Sequence, residues 1–239
     1  MVCALARIIA IAIMIARRGV KSWFSYATSA LLNLWLMFMF AAFGIQRVAL
    51  HVLVGAIIYT LFSSCMLSVI YDAYYEAIKL RELFLASPLS RIEFLLGISL
   101  GHMMAATIMS IPYEAILAYL RPTPLIVLVY VFIALSSWIV ATCIGYLIPS
   151  RDPFTVGPKA SLIASLMTLL PPVYYPDTLL PSQARYLLAA IPTYSIAKIS
   201  KVLLGIERGS AAILVLCALL LTIEMLALLW VAIRRVHED

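Results

Sequence analysis

Few side chains in this sequence could do acid–base or metal chemistry, and they lie far apart. The three histidines, His51, His102 and His237, stand in separate stretches. No H-E-x-x-H pair, two imidazoles one helical turn apart with a glutamate base between them, can be made from them. Glu114 and Glu224 fall inside apolar runs without a second carboxylate on an adjacent turn. The four cysteines, Cys3, Cys65, Cys143 and Cys217, lack metal-ligand spacing and read as small buried hydrophobes. A G-x-x-x-x-G-K-[ST] phosphate loop is absent, so the chain does not cradle a nucleotide in that way. The pattern points away from an intramembrane enzyme and assigns neither catalytic residues nor a metal site. A charge at a bilayer centre costs about 2.5–3.5 kcal/mol or more. Glu114, Glu224 and His102 are therefore expected to face a cavity, another helix or a second subunit, with structural hydrogen bonding inside the bundle as the alternative.

The charges that do cluster lie in residues 74–101, where Glu76, Lys79, Arg81, Glu82, Arg91 and Glu93 separate two apolar runs. The spacing predicts an amphipathic helix over 76–86, with Ile78, Leu80, Leu83 and Phe84 on or near one side. Pro88 stops it. Ser87 before Pro88 suits an N-cap with proline at the first helical position, and Ser90 with Glu93 spells a capping box. Asp72 and Glu76 read as solvated. This elbow passes straight into a membrane-length run that carries Gly97, Gly101 and Ala105 at four-residue spacing, which predicts a close helix contact.

The elements that must position these groups follow from composition. At 65% hydrophobic and 12% charged residues, with mean hydropathy +1.08, the chain cannot bury its apolar surface in a soluble core of 239 residues. The expected fold is all-α, a single transmembrane domain over 1–239 with six transmembrane helices near 22–44, 48–71, 94–120, 125–148, 160–173 and 210–233. The run 4–16 is too short to span, and Arg7 interrupts it. Residues 1–21 are therefore expected to form an N-terminal interfacial helix. Pro171 and Pro172 end the fifth run. The proline-punctuated stretch 174–209 then reads as short outer helices, interfacial or re-entrant, tolerated at membrane depth only where they are buried in protein or line a cavity. Trp23, Tyr26, Tyr71, Tyr119, Tyr174, Tyr175 and Trp230 read as interface anchors.

Charge sidedness sets the orientation. With the N-terminus inside, Arg7, Arg17, Arg18, Lys21, Lys79, Arg81, Arg91, Arg151, Lys159, Arg234 and Arg235 are cytoplasmic, against Arg47, Arg121, Arg185, Lys198, Lys201 and Arg208 outside. Both termini and the 74–90 elbow are thus expected in the cytoplasm, in a multi-pass protein of the plasma membrane. The net charge of +6 follows from this sidedness and calls for no nucleic-acid partner.

The string from Arg81 to Gly101, REL-FLASPLSR-IEFLLGISLG, resembles the signature of permease subunits of type-2 ABC transporters, an exporter class for drugs, lipids and polysaccharides. A second stretch is similar to that family's outer pattern: Tyr174-Tyr175-Pro176, Leu180-Pro181, Ile191-Pro192-Thr193-Tyr194 and Leu203-Leu204-Gly205. The chain departs from the family at Leu80-Arg81, where Gly-Thr is usual, and at Ile191, where Asn is usual. The resemblance implies that the elbow is a coupling helix seated on a separate ABC ATPase, with Glu76, Lys79, Arg81, Glu82, Leu83, Ser87, Pro88 and Leu89 as its contact residues. It also implies a second permease subunit, identical or homologous. This chain itself would hold no cofactor, since ATP and Mg would bind the partner ATPase. A non-transporting membrane anchor or an immunity-type protein would share the same scaffold.

Overall fold

A computed structural model describes residues 2–21, 31, 35, 38–39, 46–86, 89–148 and 152–238. Among these most residues are helical and none forms a strand. In order come α1 (Val2–Lys21), α2 (Gln46–Ala77), α3 (Leu80–Leu85), α4 (Arg91–Leu120), α5 (Ile126–Leu147), α6 (Pro153–Leu169), a single 3₁₀ turn (Asp177–Leu179), α7 (Ser182–Leu188), α8 (Pro192–Leu203) and α9 (Ala211–Glu238).

Among the described residues four helices are long and apolar enough to cross a membrane: Val48–Ala77, Arg91–Leu120, Ile126–Leu147 and Ala211–Arg234. The shortest has 22 residues. At about 1.5 Å per residue it reaches roughly 33 Å, enough for a hydrocarbon core of about 30 Å. The chain is a membrane protein. Of the two further spans expected, 22–44 lies outside the described residues except for helical positions Leu31, Trp35, Phe38 and Met39. The other, 160–173, falls in α6, which has 17 residues and ends before Pro171. That helix reaches only about 26 Å, because two successive prolines remove the amide donors a further turn would need.

α2 is the central element. Ile57, Ile58, Leu61 and Phe62 are fully buried and share one core with Ala106 of α4, Ile133 of α5, and Ala160 and Ala164 of α6. α9 lies at the periphery and leaves Val215, Leu219, Ile223, Leu226 and Trp230 exposed. Hydrophobic transfer adds little between helices in lipid, so close packing of small residues carries the association. Gly55 shows this: a Cβ there would meet the Tyr174 ring at 2.9 Å, so the ring lies directly on the α2 backbone. Tyr174, expected as an interface anchor, thus packs on α2. Trp23 and Tyr26 lie outside the described residues.

The run over 1–21, expected to be an interfacial helix, forms α1, which packs lengthwise on α4. Ile11 sits over Gly97, Ile15 over Gly101, and Gly19 beside Ala105, so α1 runs parallel to α4 with a four-residue register. Ile11, Ala12, Ile15 and Ala16 are buried in consequence. The physical reason is the small-residue stripe, which lets the two backbones approach closely. A Cβ at Gly101 would lie 2.6 Å from Ile15 Cβ and 2.7 Å from the Ala12 carbonyl oxygen, whereas at Gly145 it would make an ordinary contact of 3.5 Å with Val69. Gly101→Ala is therefore expected to destabilise by about 1–3 kcal/mol through overpacking, with Gly145→Ala neutral or slightly stabilising. Melting in detergent checks this, and equal melting of the two variants would refute the register.

Candidate functional site

The elbow is built differently from the sequence expectation. α2 continues through Glu76 to Ala77, the chain reverses at Ile78 and Lys79, and the elbow helix is only Leu80–Leu85. The break is at Lys79, whose φ of 59° is left-handed and incompatible with a continuing helix. Arg81 holds the turn shut. It is buried, and its guanidinium lies 2.9 Å from Glu76 and 3.8 Å from Asp72 one turn earlier on α2. Asp72 and Glu76 are thus ion-pair partners, not solvated charges.

The apolar residues expected on one side of the elbow divide into two sets. Leu80, Phe84 and Leu89 turn inward onto a cluster of Tyr75, Phe94, Ile11 and Ile15. The Phe84 and Phe94 rings are 5.3 Å apart, and Tyr75 stands edge-on to Phe84 at 6.2 Å. Ile78 and Leu83 point outward, Leu83 with 69% of its surface exposed, beside the exposed charges of Lys79 and Glu82. Ser87 and Pro88 lie outside the described residues. α4 then starts with the Ser90/Glu93 capping box in place. Glu93 also meets Arg7 of α1 at 3.1 Å, and Arg18 of α1 donates to the Tyr75 hydroxyl at 2.7 Å. Three helices therefore grip the elbow, and Ile78, Lys79, Glu82 and Leu83 remain exposed on its outer side.

The ionisable residues within the apolar helices stay apart. His102 is buried with neither ring nitrogen hydrogen-bonded among the described residues, and its ring lies 4.7 Å from that of Tyr71. Tyr71 is thereby also a packing residue. Glu114 is half-buried on α4. Glu224 on α9 is half-buried, and its Oε2 has no partner among the described residues. Between α4, α5 and α9, near the elbow, lies an apolar cleft of about 300 Å³ lined by Leu95, Ser99, Trp138, Thr142, Tyr146 and Leu229. Among the described residues no three His, Cys, Asp or Glu side chains group as metal ligands would.

The most strongly connected polar group lies at the other end of the bundle, where residue types and spacing alone did not single it out. Lys198 donates from Nζ to Asp177 Oδ2 at 2.7 Å, to Glu207 Oε2 at 3.0 Å and to the Arg208 carbonyl at 3.3 Å. All three of its protons are used. Tyr194 donates to Asp177 at 3.1 Å, and the Asp177 amide donates to Glu207 Oε1 at 2.9 Å. Lys201, 1% exposed, donates to the carbonyls of Pro172 at 2.7 Å and Tyr175 at 3.0 Å, filling acceptors left open where the two prolines end α6. Burial lowers the Lys201 ammonium to about 7, against the opposing pull of Glu207 and Asp177. Burial alone would raise Asp177, but Lys198 and its other hydrogen bonds hold it below its ordinary value. Glu207 goes up, through burial and its contact with the Asp177 carboxyl. The only signal in the sequence was cationic Lys198 and Lys201 one turn apart on a segment otherwise half apolar.

The elbow thus offers a rigid exposed surface, and the opposite end a closed ionic network. No protein-family model and no curated protein matches this chain.

Proposed function

We propose that this chain is the membrane-spanning permease subunit of an ATP-driven exporter of the type-2 ABC class, moving amphipathic molecules outward across the plasma membrane. The observation that carries the reading is the elbow: a short helix with exposed Leu83, Ile78 and Glu82, clamped from behind by the Arg81 ion pairs and the Tyr75–Phe84–Phe94 stack. A surface built in this way receives a push without deforming and passes it to the two long helices it joins, α2 and α4. A separate ABC ATPase, holding ATP and Mg, supplies that push at the cytoplasmic face, where both termini also lie. A second permease subunit completes the pathway. The apolar cleft between α4, α5 and α9 suits an amphipathic substrate, and alternating tilts of the helices joined by the elbow would expose it to either side.

Co-purification in detergent with the ABC ATPase encoded nearest this gene tests the proposal. Leu83 is exposed, so Leu83→Asp leaves the fold intact while placing a charge at the centre of the contact. The native chain is expected to retain the ATPase and Leu83→Asp at least about tenfold less, equivalent to roughly 1.4 kcal/mol. Glu82→Ala should weaken retention to a smaller degree. Absence of any ATPase from the native preparation, or equal retention by Leu83→Asp, would end the exporter reading.

A further inference from the structure

At the end opposite the elbow a cavity of about 670 Å³ opens between the start of α2, the turn after α4 and the loop joining α8 to α9. Its polar lining includes His51, Arg121, Thr178, Glu207 and Arg208, and its apolar flank includes Val48, Leu50 and Ile206. The two arginines come from distant parts of the chain. Gly205, with φ +64°, turns the backbone in the left-handed sense, and its carbonyl accepts a hydrogen bond from Arg121 at 2.8 Å. That bond draws the loop bearing Arg208 against the end of α4.

The charges around this cavity are unevenly spent. The Glu207 carboxylate is bound inward by Lys198 and by the Asp177 amide, and burial together with Asp177 raises its pKa. Each of its oxygens is therefore already engaged by a donor of the chain. Among the described residues Arg121 uses one N–H of a guanidinium that carries five, and Arg208 lends the network its backbone carbonyl alone. His51 is 3% exposed, lines the cavity, and has an Nδ1 with no hydrogen-bond partner among the described residues. A buried polar nitrogen left unpaired costs about 1–3 kcal/mol. A ligand oxygen or hydroxyl would remove that penalty.

We propose that this cavity binds a phosphate-type oxyanion, carried on a lipid headgroup or free in solution. Two guanidinium groups match the several oxygens of a phosphate, where each can bind in bidentate fashion. The imidazole adds a third polar contact from the cavity wall. The cavity lies beside the first residues of Val48–Ala77, a 30-residue spanning helix, at the end of the span where a lipid would present its headgroup. Val48, Leu50 and Ile206 would then take up the glycerol and upper acyl carbons of a lipid. The site involves neither the elbow nor an ATPase, so its fate is independent of the exporter reading.

The test uses the full chain in nanodiscs. Spin-labelled phosphatidylglycerol and phosphatidylcholine report lipid retention, and radiolabelled inorganic phosphate in equilibrium dialysis reports free anion. The native chain is expected to retain phosphatidylglycerol about tenfold over phosphatidylcholine, or to bind inorganic phosphate, and either result supports the site while identifying its source. Arg121→Gln with Arg208→Gln should abolish the preference. Arg208→Gln alone, which disturbs no side-chain bond among the described residues, should weaken it at least threefold. Arg185→Gln, whose guanidinium donates to the Leu180 carbonyl away from the cavity, should leave it unchanged. Equal retention of both lipids without phosphate binding, or an equal loss in Arg185→Gln, would overturn the proposal.

Discussion

Replacing Lys198 with methionine is expected to destabilise the fold by about 3–5 kcal/mol, the usual consequence of leaving buried charge uncompensated. Lys198 and Asp177 are each 3% exposed at the side chain and Glu207 5%, so water cannot readily replace the lost ammonium. The substitution strands the Asp177 and Glu207 carboxyls beside one another and frees the Arg208 carbonyl. Unfolding in an SDS titration measures the loss. A change below about 1 kcal/mol would mean that water already screens the network. The triple change Lys198→Met, Asp177→Asn and Glu207→Gln should recover much of the stability, because a neutral cluster of similar shape carries no ionic desolvation penalty.

Raising the pH from about 7 toward 10.5 is expected to stabilise the folded chain, by up to about 1.4 kcal/mol per pH unit attributable to Lys201. The sign follows from proton binding. Burial lowers Lys201 from its ordinary 10.5 to about 7 in the folded chain. Between those values the unfolded chain holds the proton and the folded chain does not, so stability rises with pH. Below about 7 both states are protonated and the penalty is constant. Lys198, Asp177 and Glu207 face Lys201, and Asp177, held below its ordinary range, adds no slope above neutrality. The difference between native and Lys201→Met unfolding curves isolates this contribution. A difference curve flat across the window would show that Lys201 stays charged and solvated. Lys201→Met should also be less stable at high pH, since the Pro172 and Tyr175 carbonyls lose their donor.

The elbow shows how far local signals reach. The Ser90/Glu93 box and the stop at Pro171-Pro172 act within a few residues, and the chain obeys both. The side-chain pattern places the start of the elbow helix at Glu76 because nothing in it marks Lys79 as left-handed. That conformation is held by Arg81 reaching back to α2 and by the aromatic stack beneath Phe84. The same packing sends Leu80 and Phe84 inward and Ile78 and Leu83 outward, a division that a six-residue helix is too short to display as periodicity.

What the sequence determined by itself is the class and its punctuation: long apolar runs make spanning helices because lipid leaves the backbone no other partners, and caps and prolines set their ends. Gly97, Gly101 and Ala105 announced a close contact, but only the tertiary structure made α1 the partner. The ionic network also needed closure. Tyr194 and Asp177 are 17 residues apart, Asp177 and Glu207 are 30 apart, and both pairs close within the segment that follows Pro171-Pro172. Periodicity reports which face of one helix is apolar. It carries no information on which buried charge will find which partner, because that choice depends on desolvation and distance after the helices have packed.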